Sequence, residues 1–87
     1  MITKENLILK GFKELGKEED DIFYKIIFKS SLKGLAPSSL SGSFNEKGFD
    51  LYGYGIVNTL TELNNIFSSI LTLSKANTLD ELIYVFR

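Results

Sequence analysis

The chain has no cysteine, no histidine and no tryptophan, and only one proline and one arginine among its 87 residues. Without cysteine there is no disulfide and no thiolate ligand, so the sequence carries no redox signature. Without histidine as well, zinc sites of the His/Cys type cannot be built, nor can the usual Ser-His and Cys-His hydrolase pairs. A basic excess is also missing. Ten Lys/Arg stand against eleven Asp/Glu for a net charge of −1, whereas a general binder of nucleic acid or anionic membrane carries positive surplus. No apolar run approaches the roughly 18–20 residues of a membrane span. Met1-Ile2-Thr3-Lys4-Glu5 places an acid too early for an export signal. The expected location is the cytoplasm.

What is present suffices for one small core. Apolar residues make up 44% of the chain and aromatics 13%, chiefly seven Phe and four Tyr. A chain of this length holds a single domain, spanning 1–87, and its hydrophobicity argues against disorder. The abundance of Lys, Asn, Ile, Phe, Ser and Leu follows the codon usage of an AT-rich genome. Small size and this profile together give the look of phage and mobile-element proteins.

Thr3 stands at an N-cap position, with Ile2 and Leu7 spaced as a hydrophobic staple, and a helix is predicted from there to Lys10 with Gly11 as its stop. Phe12 and Leu15 would anchor the exit, and Gly16 to Asp21 reads as a charged turn. Ile22 to Lys29 alternates as a strand with Ile22, Tyr24, Ile26 and Phe28 on its apolar face. Ser30 to Ser39 reads as irregular. Leu40 to Phe44 is then expected as a strand, Asn45-Glu46-Lys47-Gly48 as a turn, and Phe49 to Val57 as one return strand. In that strand Gly53 and Gly55 share a face that could admit a close-packed helix. Asn58 or Thr59 caps a helix over Leu60 to Leu73, with Leu60, Leu63, Phe67, Ile70 and Leu71 as its stripe. Asn77 or Thr78 caps a last short helix with Leu79, Leu82, Ile83 and Phe86 inward. The class is therefore α+β: a small three-stranded antiparallel sheet with two or three helices, in the order α-β-β-β-α-α.

Few residue groups suggest chemistry. Glu18-Glu19-Asp20-Asp21 is the densest charge run, but it lacks the spacing of a calcium loop and reads as a solvated turn. Ser38 to Ser43 lacks the lysine and following helix of a phosphate-binding loop. The remaining acids fall at helix starts and in turns, so no catalytic residue is assigned and no cofactor or metal is expected. The chain reads as a non-enzyme.

Two surfaces stand out instead. From Leu63 to Ser74 the long helix carries no charge, and its outer face would present Thr61, Asn64, Asn65, Ser68, Ser69 and Thr72. Charge depletion is a property of interface cores. Tyr52 and Tyr54 would add rigid contact area from the return strand. The leading expectation is a protein-interaction module, a phage or mobile-element accessory that binds and modulates a host protein and can form a homodimer through either surface. A second expectation comes from Lys47-Gly48-Phe49-Asp50-Leu51-Tyr52-Gly53-Tyr54, which loosely resembles the aromatic RNA-contacting strand of the RNA-recognition motif. Lys47, Gly48, Phe49 and Tyr54 fit that pattern; Asp50 and Leu51 depart from it. Combined with Phe23, Lys25 and Lys29 of the Ile22 to Lys29 strand, the resemblance implies weak binding of single-stranded nucleic acid, with Lys47 as a further contact.

Overall fold

The first helix is set by its ends. In the computed structural model, which describes residues 1–28, 38–74 and 83–84, helix α1 runs from Lys4 to Lys10. The Thr3 hydroxyl accepts from the Asn6 amide at 3.2 Å, and the Asn6 side chain accepts from the Thr3 amide at 3.0 Å. This reciprocal pair satisfies two amides that no helical carbonyl can reach. Gly11 ends the helix at φ 107 and donates to the Ile8 carbonyl. A seven-residue helix is marginal alone, and it is held by burial of Leu7 and Ile2 in the core.

The sheet is larger than the three strands expected from sequence. Strand β1 covers Lys13–Glu18, β2 Asp21–Phe28, β3 Ser39–Asn45, β4 Gly48–Leu51 and β5 Gly55–Val57. They form an antiparallel meander in chain order, and Ile83–Tyr84 (β6) also pairs with β2 at Ile27 and Phe28. Helix α2, Leu60–Ser74, follows β5. The order is thus α-β-β-β-β-β-α before β6.

Three segments account for the difference. Lys13–Glu18, read as an exit segment and charged turn, is an edge strand exposed at every residue, so it shows no apolar alternation to detect. Phe49 to Val57 is not one strand. Tyr52-Gly53-Tyr54 turns the chain, Gly53 and Gly55 take φ of 89 and 95, and Phe49 pairs with Val57. These glycines serve a turn and admit no helix; no other atom lies within 4 Å of where their Cβ would stand. Finally, Ile83 and Tyr84 are strand where the last short helix was expected. The rest of that expected helix, including Asn77, Thr78, Leu79, Leu82 and Phe86, lies outside the described residues, as do Lys29 and Ser30 to Pro37.

Both helices pack on one face of the sheet. Tyr24, Ile26 and Phe28 of β2, Leu40 of β3, Phe49 and Leu51 of β4 and Val57 of β5 meet Leu63, Phe67 and Ile70 of α2 and Ile2, Leu7 and Phe12 from the α1 side. Leu60, expected inward, is 38% exposed, and Ile66 and Leu71 are only partly buried. Phe12 joins the layers, meeting Phe49 edge-on at 5.4 Å and Phe67 at 5.9 Å. Each such pair contributes about 0.5–1.5 kcal/mol beyond area burial.

Candidate binding surfaces

Alternation along β2, β3 and β4 sends every second side chain away from the helices. On that opposite face lie Phe23, Lys25 and Ile27 of β2, Ser39, Ser41 and Ser43 of β3, Asp50 of β4 and Ile56 of β5. Register aligns them in rows. Phe23 stands opposite Ser43, which stands opposite Asp50, which stands opposite Ile56. The next row contains Lys13, Lys25 and Ser41. Tyr52 extends that row, because its amide donates to the Ser41 carbonyl at 2.9 Å and continues the ladder. Among the described residues no element covers this face. Ile56 is 52% exposed and Tyr52 49%.

The structure therefore brings together residues that sequence reasoning had divided between two readings. Phe23 and Lys25 share the open face with Tyr52. Tyr54 is half exposed in the adjoining turn, its amide donating to the Leu51 carbonyl. Lys47 is separated from them. It sits in the β3–β4 turn, at the end of the sheet where Asn45 donates to Asp21 at 2.8 Å and where the acidic Glu18–Asp21 turn lies. Phe49 is fully buried among Phe12, Tyr24 and the helices, so it cannot stack on a base.

All six polar residues of the α2 face are exposed, as expected. Two of them are already satisfied within the helix. The Ser69 hydroxyl donates to the Asn65 carbonyl and Thr72 to the Ser68 carbonyl, the pattern by which such side chains settle on a solvated helix. The start of α2 is firmly set, with the Thr59 hydroxyl accepting from the Glu62 amide and the Glu62 carboxylate accepting from the Asn58 amide.

A further cavity went unnoticed in the sequence. It measures about 460 Å³ and lies between α1 and the sheet, lined by Lys4, Glu5, Ile8, Leu9, Glu14 and Tyr24. The Tyr24 hydroxyl donates to Glu14 at 3.3 Å. Burial pushes the Tyr24 phenol up from its usual pKa, helped by the charge and hydrogen bond of Glu14 and, more weakly, by Glu5. The signal available was the exposed pair Ile8-Leu9 in a short helix, which is uninformative without knowing that β1 runs beside it. Among the described residues no three acidic side chains converge as a metal site, and no helix is long and apolar enough to cross a membrane. Comparison with known proteins finds no matching family model, no matching curated protein and no matching solved structure.

Proposed function

We propose that this chain is a non-catalytic protein-interaction module, a phage or mobile-element accessory that binds and modulates a host protein. Its contact surface is the open sheet face. The observation that carries this reading is the placement of both helices on one side, which leaves Phe23, Ile27, Tyr52 and Ile56 around the three serines of β3. Antiparallel sheets tolerate one wet face, but a wet face with four large apolar or aromatic groups among small hydroxyls has the make-up of a contact surface. The α2 face is the weaker candidate because two of its four hydroxyls, those of Ser69 and Thr72, are already bonded within the helix.

Nucleic acid fits this face less well. Lys25 and Lys13 are offset by Asp50 in the neighbouring row and by Glu18 and Asp21 beyond it. A phosphate backbone following the rows would meet carboxylates.

The test is capture from a lysate of the source organism by three immobilised forms: the wild type, Tyr52→Glu with Ile56→Lys, and Asn65→Lys with Ser68→Glu. All four positions are exposed, so these changes leave stability within about 0.5 kcal/mol. The expected result is one protein retained by the wild type and the helix variant and lost by the sheet variant. Loss with the helix variant alone would move the site to α2. Retention by both would remove both surfaces.

A further inference from the structure

The open edge of the sheet at β1 is built to pair with itself. Among the described strands β1 pairs with β2 alone, and all six of its residues are exposed. The other edge, β5, has three residues and runs almost directly into α2. Exposed edges are usually guarded by charge. The charges of β1 are arranged so that a second copy, running antiparallel, would set opposite charges across the junction.

The face pattern of the strand makes this possible. Lys13 opposes Lys25, Gly16 opposes Phe23 and Glu18 opposes Asp21, all on the open face; Glu14 opposes Tyr24 and Lys17 opposes Ile22, on the helix face. Register shifts between Glu14 and Gly16, so Leu15 is an extra residue. In a bulge the two residues opposing one partner residue turn to the same side, so Leu15 joins Gly16 on the open face, where it lines a cavity of about 370 Å³ with Gly16, Glu18, Phe23 and the neighbouring Lys17. Read from Lys13 to Glu18, the faces run open, helix, open, open, helix, open. That order is the same in both directions.

A regular six-residue strand could not do this. Its first and last residues point to opposite faces, so pairing it end to end with a copy of itself would clash in face at every position. The bulge restores the match. In the two-fold pairing centred between Leu15 and Gly16, Lys13 meets Glu18 of the second copy and Glu14 meets Lys17, on matching faces and with opposite charge at every charged position. Leu15 meets Gly16, where no atom lies within 4 Å of the missing Cβ. The leucine of each copy would enter the cavity beside Phe23 of the other.

We infer that the chain forms an isologous homodimer by continuing its sheet through β1, with Lys13–Glu18 of two copies paired antiparallel about a two-fold axis at Leu15/Gly16. This dimer uses neither surface considered from sequence, and it stands apart from the partner face proposed above.

Light scattering after size exclusion, run from low to high concentration at low salt, gives the test. A six-residue strand pair is a small interface, and half-association is expected on the order of 10–100 µM. Lys17→Glu and Glu14→Lys each place like charges opposite one another twice, and each should weaken self-association by about tenfold or more. Mixing the two variants restores opposite charge at both positions and should recover a dimer. Leu15→Cys mixed with Gly16→Cys gives a second readout, since directly opposed residues lie within disulfide reach. This mixture should cross-link, whereas Ile56→Cys should not. A wild type that stays monomeric at 500 µM (about five times the upper expected value) overturns the inference. So do charge variants that dimerise like the wild type, a mixture that remains monomeric, or cross-linking at position 56 in place of 15 and 16.

Discussion

Gly42 sits where three strands and the core meet, and replacing it with alanine is the sharpest test of the packing described above. It opposes Tyr24 on β2 and Leu51 on β4, on the helix-facing side of β3. A Cβ there would lie 2.5 Å from the Asp50 carbonyl oxygen and 2.7 Å from two carbons of the Phe49 ring. The ring has no free space to enter, since Phe49 is fully buried and held edge-on by Phe12 and Tyr24. The carbonyl belongs to the β4 backbone and moves only with the strand. Overpacking of this kind costs about 1–3 kcal/mol, with a backbone clash at the upper end. Restricting the unfolded chain returns roughly 0.4–1 kcal/mol. The net expectation for Gly42→Ala is a loss of about 2 kcal/mol. In a domain of this size that lowers Tm by roughly 8–16 °C. Thermal unfolding followed by circular dichroism reads it directly, and Gly16→Ala at low concentration is the control, because nothing approaches its Cβ. Equal melting of Gly42→Ala and wild type would show that β3 and β4 are not packed on Phe49 as described.

Thr59→Ala removes the acceptor for the Glu62 amide and should cost about 1 kcal/mol in chemical denaturation. Glu19 takes φ 55 in the β1–β2 turn between like-charged neighbours, so Glu19→Gly should stabilise by about 0.5 kcal/mol, the left-handed penalty outweighing the added chain entropy. The raised pKa of Tyr24 means that the folded state holds the phenol proton more tightly than the unfolded chain does. Its contribution to stability is therefore full below pH about 10 and is lost as pH rises through the folded value. In ultraviolet titration the Tyr24 signal, identified as the one lost in Tyr24→Phe, should lie above the ordinary tyrosine value of 10.0, and Glu14→Gln should lower it. Ionisation of Tyr24 at its ordinary value in the native state, unchanged by Glu14→Gln, would contradict the Tyr24–Glu14 contact.

Legibility followed burial. The α1 ends were readable because Thr3 and Gly11 act through local hydrogen bonds and a local φ. β2 was readable because its alternation reports a face packed on a core. The Asn45–Gly48 turn was placed correctly for the same local reason. β1 was not readable, since an edge strand exposed on both faces is free to alternate Lys, Glu and Gly without an apolar period. The β4–β5 hairpin was hidden because Tyr52-Gly53-Tyr54 preserves period two straight through a turn. The site followed the same rule. The α2 face was legible as an uncharged stretch, and the tyrosines as exposed aromatics. That Phe23, Lys25 and Tyr52 lie on one face depends on strand register, which no local pattern encodes.

The central claim is that the open sheet face, and not the helix face, meets a protein partner. Photo-crosslinking tests it most directly, with a benzophenone amino acid placed singly at Phe23, Tyr52 and Asn65 in cells of the source organism. The account expects one protein to be captured from positions 23 and 52 and none from position 65. Capture from position 65 alone would contradict it.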